Sequence, residues 1–325
     1  MYIAEDEVRE LLTYEALIPA IRQALIDFSA GAVDQPPRMI LRSNHTEGAN
    51  NGWFAVMPVV YGDVMGVKTV TFFRGNAELD PSVGLHTHMA AIELLSRTTG
   101  EPLALMDGRL ITEMRTAAVS AVALDALARP DVRSLGILGA GVQARSHLQA
   151  LRMVRPGLAD VRIWNRTPEK AERLARDVSS FPRSQNRDLG HPNNLRATRI
   201  EDAAAADVVL TATASPTPIL SGRWLKPDAL VIAVGAVGAQ LRELDDEAVL
   251  SSFVVAESRQ AAEREAGDIV LSGARVRAEI GEIVSQLQNG PGGFERPNGR
   301  ILFKSVGMAV EDLVAARLVW RARKS

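Results

Sequence analysis

Cysteine is absent from all 325 residues, which removes disulfides, thiolate nucleophiles and every cysteine-ligated zinc site. An excess of charge of either sign is also missing. Lys and Arg number 37 against 39 Asp and Glu, a formal net charge of -2, so nothing favours the phosphate backbone of a nucleic acid. No apolar run approaches the ~20 residues that a membrane-spanning helix needs, and the opening Met1-Tyr2-Ile3-Ala4-Glu5-Asp6-Glu7 is acidic where a secretory signal is basic. These absences imply a soluble, cytoplasmic protein that binds neither nucleic acid nor membrane. The basic cluster Arg321 to Lys324 reads as a short solvated tail.

What is present is an ordinary globular composition, 46% hydrophobic and 23% charged, over a length that suggests two domains. From Leu17 the positions Ile18, Ile21, Leu25 and Phe28 recur at helical spacing, with Gly31 as a stop. Trp53 to Val60, Val64 to Phe73, Met89 to Leu95 and Leu103 to Met106 are β-rich runs joined by tight turns, which suggests an antiparallel sheet.

Beyond Thr116 the texture changes. Ala117 to Ala128 reads as an alanine-rich helix ending at Pro130, and strands then alternate with helices, which implies a parallel sheet. Its expected strands are Leu135 to Leu138, Val161 to Trp164, Val208 to Thr213, Leu230 to Val234 and Phe253 to Ala256, with helices beginning near Val142, Pro168 and Glu201. Phe181 to Asn194 reads as a long polar loop, and Lys304 to Trp320 as a final helix.

The strand Leu135 to Leu138 runs straight into Gly139-Ala140-Gly141-Val142-Gln143-Ala144, and a helix follows. Strand, G-x-G-x-x-A turn and helix in that order are the signature of a dinucleotide site. Gly139 permits the tight turn, Gly141 lets a pyrophosphate approach bare backbone, and Ala144 keeps helix and strand close. The helix N-terminus offers N–H groups to the phosphates. Arg166, in Asn165-Arg166-Thr167, lies 22 positions beyond Ala144, where an NAD enzyme carries an acid for the ribose 2′-hydroxyl. An arginine there favours a 2′-phosphate, so NADP(H) is expected over NAD(H).

Three cations could hold a substrate carboxylate: Arg38 after Pro36-Pro37, Lys68 in Gly66-Val67-Lys68-Thr69-Val70, and Arg115 in Met114-Arg115-Thr116. Singly each is ordinary, because a strand lysine usually snorkels to solvent and an arginine near a helix start usually pairs with a neighbour such as Glu113. His86 and His88 read as a polar pair at a strand start. With no organised carboxylate nearby they fall short of a metal-ligand set, and no metal is expected.

At these residues the sequence resembles the ornithine cyclodeaminase and mu-crystallin family. The resemblance is carried by Gly66-Val67-Lys68, Met106-Asp107-Gly108, Arg115-Thr116-Ala117-Ala118, Gly139 to Ala144, Trp164-Asn165-Arg166-Thr167, Arg242-Glu243-Leu244-Asp245-Asp246, Gly267-Asp268, Leu271-Ser272-Gly273 and Phe303 to Asp312. It implies an α/β protein with a Rossmann-type parallel-sheet domain at 117–304. An α+β domain for substrate binding and dimerisation would be built from 1–116 with 305–325, in a homodimer. By motif position, Arg38, Lys68 and Arg115 resemble the family's carboxylate-binding and catalytic residues, Thr87 and His88 a pair near nicotinamide and substrate, and Ser305 a cofactor contact. With Thr213 at a strand end, the expected cofactor set is Gly139, Ala140, Gly141, Val142, Gln143, Asn165, Arg166, Thr167, Thr213, Thr87 and Ser305.

The family is divided by substrate. Ornithine cyclodeaminases place an aspartate where Ala233-Val234-Gly235-Ala236-Val237-Gly238-Ala239 has Val237. A substrate ammonium beside Val237 would lose water without gaining a counter-charge. The resemblance therefore points to NADPH-dependent reduction of a small cyclic imino acid, Δ1-pyrroline-2-carboxylate or Δ1-piperideine-2-carboxylate, to proline or pipecolate. Hydride would go to the C=N carbon, with Lys68 or His88 as candidate proton donor. The alternatives are an alanine dehydrogenase, an ornithine cyclodeaminase, or an NADPH-binding protein without fast turnover.

Overall fold

The computed structural model describes residues 1–43, 51–79, 85–179, 194–288, 290 and 293–324. The chain separates into two compact units, Met1–Arg115 with Met308–Ser325, and Thr116–Gly307.

The first unit is built on β1 (Tyr2–Ile3), β2 (Met39–Ser43), β3 (Gly52–Tyr61), β4 (Val64–Phe73), β5 (His88–Ser96) and β6 (Pro102–Asp107), in the order β1-β6-β5-β4-β3-β2. Strands β2 to β6 are antiparallel neighbours, and β1 joins β6 in parallel. Val64, Gly66, Lys68 and Val70 alternate with less buried residues along β4, so Lys68 belongs to the inward-facing set. Across the sheet its register neighbours are Met57 and Ile92, and beyond Ile92 come Met106 and Ile3. Lys68 is therefore one charge in a buried row of apolar side chains.

Helix α1 (Glu5–Leu11) is followed by α2 (Tyr14–Ser29), which Thr13 caps by accepting the Ala16 N–H at 3.4 Å. The alanine-rich helix expected from Ala117 begins instead at Arg109, as α3 (Arg109–Leu127). The Asp107 carboxylate accepts the Arg109 N–H at 2.8 Å, a side-chain cap that starts the helix ahead of its alanine run.

The second unit comprises β7 (Ser134–Leu138), α4 (Val142–Val154), β8 (Asp160–Trp164), α5 (Pro168–Ser179), β9 (Asn194–Ala197), α6 (Ile200–Ala204), β10 (Val208–Thr211), β11 (Leu230–Ala233), α7 (Asp246–Leu250), β12 (Ser252–Ala256), α8 (Arg259–Glu265), α9 (Gly267–Ser272), β13 (Ala278–Glu279), α10 (Ile280–Gln288) and β14 (Arg300–Lys304). Its sheet is parallel throughout, in the order β13-β12-β14-β11-β10-β7-β8-β9. Residues of β7, β10 and β11 are buried without interruption, as expected of parallel strands covered on both faces. The strand order reverses between β7 and β10, the switch point at which Rossmann-type sheets open a crevice beyond their strand ends. The 181–194 stretch lies outside the described residues up to 193, and Asn194 opens β9.

The end of the chain departs from expectation twice. Lys304, expected to open the final helix, instead closes β14, hydrogen-bonded between β11 and β12. The short apolar run Ile301-Leu302-Phe303 suits strand and helix alike, and ladders on both sides decide the matter. The helix proper is α11 (Ala309–Lys324), which packs in the first unit against β3, β4, β5 and α2. The Arg321 to Lys324 cluster is its last turn rather than a loose tail. Arg321 pairs with Asp63 at 2.6 Å, alongside Arg317 at 3.0 Å, and Arg323 pairs with Glu7.

Among the described residues no helix is long and apolar enough to cross a membrane. No group of three or more His, Asp or Glu that could hold a metal ion occurs among them either.

Close packing of sheet and helix in the second unit has a direct test. A Cβ on Gly136 of β7 would lie 1.8 Å from the Ala203 carbonyl oxygen in α6, and backbone cannot yield as a flexible side chain can. Gly136→Ala is expected to destabilise this unit by about 3 kcal/mol, read from the midpoint of denaturant unfolding.

Candidate active site

In the second unit, β7 ends at Gly139, whose φ of 116° is a conformation that only glycine adopts without strain. A Cβ there would also lie 2.5 Å from the Ala212 carbonyl oxygen beyond β10, so the turns on either side of the switch point press together at this residue. Gly141 is different. Its φ is an ordinary -88°, and a Cβ would meet nothing within 4 Å. Neither strain nor packing within the protein calls for glycine at 141, whereas close approach of a ligand does. Gly141 is the N-cap of α4, and Val142, the first residue of that helix, is 58% exposed. The buried Gln143 Oε1 has no hydrogen-bond partner among the described residues.

Asn165, just past β8, ties the nucleotide-side loops together. Its Oδ1 accepts the Ala140 N–H at 3.1 Å and its Nδ2 donates to the Thr167 carbonyl at 2.9 Å. Arg166 and Thr167 are exposed. The Arg166 side chain forms no ion pair or hydrogen bond among the described residues, which leaves a cation where a dinucleotide's adenosine ribose would lie. The open space above Gly141, the helix N-terminus and this loop fit a dinucleotide.

Thr213 is anchored by a residue that sequence reasoning did not single out. The buried Glu243 accepts the Thr213 N–H at 2.6 Å and its hydroxyl at 2.7 Å through Oε1. Through Oε2 it accepts the Thr211 hydroxyl at 2.8 Å and the Gly235 N–H at 2.9 Å. Asp268 accepts the Glu243 and Leu244 N–H groups and pairs with buried Lys304 at 2.9 Å. Burial raises the Glu243 pKa, and the Lys304 charge partly offsets it. Ser305 is 2% exposed, and its hydroxyl is donated to Glu257, which also accepts the Val306 and Gly307 N–H groups. Val237 packs against the apolar cluster around Leu138, Val231 and Leu244.

In the first unit, Lys68, Arg115 and two acids meet below the sheet. Lys68 is 3% exposed, and its Nζ lies 2.9 Å from Asp312 Oδ1. The same oxygen accepts from Arg115 Nε at 3.1 Å, while Arg115 donates through a terminal nitrogen to Glu311 Oε2 at 2.7 Å. Arg115 thus reaches two acids on α11, beyond its own helix. Glu113 pairs with Arg109 on its own helix face. Glu311 and Asp312 lie in the first turn of α11, where the helix dipole favours negative charge.

The electrostatics are mutual. Burial lowers the Lys68 pKa to about 8, with Asp312 opposing the fall and Arg115 and Arg38 adding to it. Burial alone would raise the Asp312 pKa, but Arg115 and Lys68 hold it below the usual range. Arg38 is half-buried just before β2, near enough to act on Lys68 through its charge. His88 opens β5, half-buried, with its pKa lowered to about 3, first by burial and then by the charges of Lys68 and Arg115. The imidazole is neutral at physiological pH, so no imidazolium is present to act as the acid. Thr87 precedes it, its carbonyl accepting the Phe73 N–H at 2.8 Å.

Of the site residues read from the sequence, Lys68, Arg115, His88 and Arg38 share one electrostatic cluster in the first unit. Gly139 to Gln143, Asn165, Arg166, Thr167 and Thr213 surround the strand ends of the second. Glu311, Asp312, Glu243 and Glu257 were missed. Adjacent acids in a first helical turn are common, and only the fold reveals which cations they meet.

The model of the ornithine cyclodeaminase/mu-crystallin family matches residues 1–325. A ketimine reductase mu-crystallin from Macropus fuliginosus is 38% identical over 322 residues, covering 98% of this chain and 95% of its own. The solved Δ1-pyrroline-2-carboxylate reductase of Thermococcus litoralis, in complex with NADH and L-proline, superposes with a TM-score of 0.87 at 31% identity, covering 100% of this chain and 97% of its own. An archaeal alanine dehydrogenase dimer with bound NAD gives a TM-score of 0.86 at 27% identity, over 100% and 96% of the two chains. With the family model matched over residues 1–325 and a relative 38% identical over 98% of it, the chain belongs to the ornithine cyclodeaminase/mu-crystallin family.

Proposed function

We propose that this nicotinamide-dependent oxidoreductase reduces cyclic ketimines, Δ1-pyrroline-2-carboxylate or Δ1-piperideine-2-carboxylate, to proline or pipecolate, with NADPH preferred over NADH. The observation that carries the reading is Lys68, a buried lysine acidified to about 8 beside a second buried cation. Arg115 and Arg38 supply charge for the substrate carboxylate, and Lys68 supplies a proton matched to neutral pH.

When bound, the reduced nicotinamide supplies the hydride that the C=N carbon accepts. Lys68 Nζ donates a proton to the imine nitrogen. That proton bonds to the nitrogen lone pair, leaving the carbon electrophilic, and on reduction the π pair of the C=N bond would become the lone pair of the amine. Arg115, braced by Glu311 and Asp312, holds the carboxylate so that the ring is presented in one orientation. Neutral His88 orients substrate through a hydrogen bond rather than protonating it. Gly139 to Gln143 and Thr213 border the dinucleotide, and Asn165, Arg166 and Thr167 hold its 2′-phosphate. The unit formed by Met1–Arg115 and Met308–Ser325 then serves substrate binding and pairing of a homodimer, and Thr116–Gly307 serves cofactor binding. Val237, packed in an apolar cluster, offers no counter-charge to a free substrate ammonium, which disfavours ornithine deamination.

Three measurements test this reading. NADPH oxidation is expected with both cyclic imines, against little with pyruvate plus ammonia and no ammonia release from ornithine with NAD. Failure to reduce either imine would end the proposal. Lys68→Ala should abolish turnover while NADPH affinity stays within about twofold. In the wild type the protonated lysine is the active form, so kcat/KM should fall about tenfold per pH unit above about 8. The low pKa of His88 places no acid limb from that residue between pH 5 and 7.

The cofactor site is tested at two residues. Gly141→Ala should leave stability within about 0.5 kcal/mol yet weaken NADPH binding at least tenfold, because the space its Cβ enters is open in the protein. Arg166→Ala should weaken NADPH by about tenfold, the scale of one charge-assisted phosphate contact, and leave NADH nearly unchanged. An equal loss for both coenzymes would remove Arg166 from the 2′-phosphate site.

A further inference from the structure

The proton donor proposed above stands in an apolar row, flanked across the strands by Met57 and Ile92. Nothing in its own sheet neighbours holds its ammonium in place. The group that does so comes from residues far away in sequence: Asp312 on α11, 1% exposed, accepting from Lys68 and Arg115 through one oxygen. We propose that Asp312 is a positioning residue of the reduction, one that holds the Lys68 ammonium charged and aimed while fixing Arg115 through the same oxygen. This rests on the reading of Lys68 as the acid.

The physical case has two parts. A lysine buried among apolar side chains sheds its proton to escape desolvation unless an anion lies within contact distance. The charged groups around Lys68 are Arg115 on α3, Arg38 before β2, Asp312 on α11 and, in neutral form, His88 on β5. Glu311 is engaged by Arg115. Asp312 is the anion in contact with Lys68, against two cations that push the proton off. The second part is geometric. Because one carboxylate oxygen receives both Nζ and Nε, the proton donor and the carboxylate anchor are held by a common point. Displacing that point moves both relative to the substrate.

The decisive comparison is Asp312→Asn, which keeps an acceptor oxygen and removes the charge. Its kcat/KM profile with a cyclic imine should have its alkaline limb moved down by about 1 to 3 pH units, the effect expected for one contacting charge. The rate at pH 8 would then fall about fivefold for a move of one unit and about fiftyfold for two, and in every case by less at pH 6 than at pH 8. NADPH affinity, measured by fluorescence, should be unchanged. Because the substrate is the same in both proteins, its own ionisation cancels from the comparison. A rate lowered equally at every pH, with the limb unmoved, would show a merely structural role and overturn the proposal.

Asp312→Glu keeps the charge and shifts its position. It should retain the wild-type limb with a lowered kcat, and a wild-type kcat in this variant would overturn the positioning role even if the asparagine variant does not fold. Should the wild type reduce no imine, the reading of function fails rather than this inference. The Lys68 ionisation is then followed without turnover, by competitive labelling with acetic anhydride and peptide mapping. An identical pH dependence of labelling in wild type and Asp312→Asn would overturn the proposal.

Discussion

A charge removed from water must find a partner of opposite sign, and in the first unit that constraint falls on Lys68 and Arg115. Both sit beneath a sheet whose inward rows are otherwise apolar, and both are answered from the first turn of α11 by Glu311 and Asp312. Breaking such a buried pair from one side costs about 3–5 kcal/mol, because the remaining charge is stranded. The arrangement thus ties the last helix of the chain to its fourth strand more specifically than apolar packing alone.

The second unit meets the same constraint with the same signs. Lys304 at the end of β14 is the buried cation, Asp268 pairs with it, and Glu243 distributes four accepted hydrogen bonds over the turns beyond β10 and β11. The run Arg242-Glu243-Leu244-Asp245-Asp246 is explained by this frame. Glu243 binds the strand ends, Asp245 caps α7 by accepting the Ala248 N–H at 2.8 Å, and Arg242 pairs with Asp246 at 2.7 Å. Motif residues that look functional in one dimension here hold the loops beyond the strand ends.

Much of this was legible in the sequence where a local rule sufficed. The glycine turn after Leu135 to Leu138 announced a parallel sheet and its crevice, and the tight turns at Tyr61-Gly62-Asp63 and Thr99-Gly100 announced the antiparallel one. The burial of Lys68 runs against the rule that a strand lysine snorkels to solvent, although Val64, Gly66 and Val70 on its face carry the period-two pattern. What could not be read was long-range. Arg115 reaches Glu311 and Asp312 on α11, nearly two hundred residues away, and Ile301-Leu302-Phe303 became a strand because two other strands flank it. His88 looked like a possible acid until its neighbours were known to be Lys68 and Arg115, whose charges depress its proton affinity.

The position of β14 sets an order of events during synthesis. It is later in the sequence than β11 and β12, yet it lies between them, so the sheet of the second unit has a gap at its middle until residue 304 has left the ribosome. The first unit waits longer still, since Lys68 and Arg115 are made early and their counter-ions belong to residues 311 and 312. A nascent chain of this protein therefore holds two unfinished cores at once, with strand edges and two cations unanswered, and both are closed by the same short stretch of polypeptide. Stalled or truncated chains ending before it would be substrates for chaperones and proteases rather than half-active enzymes.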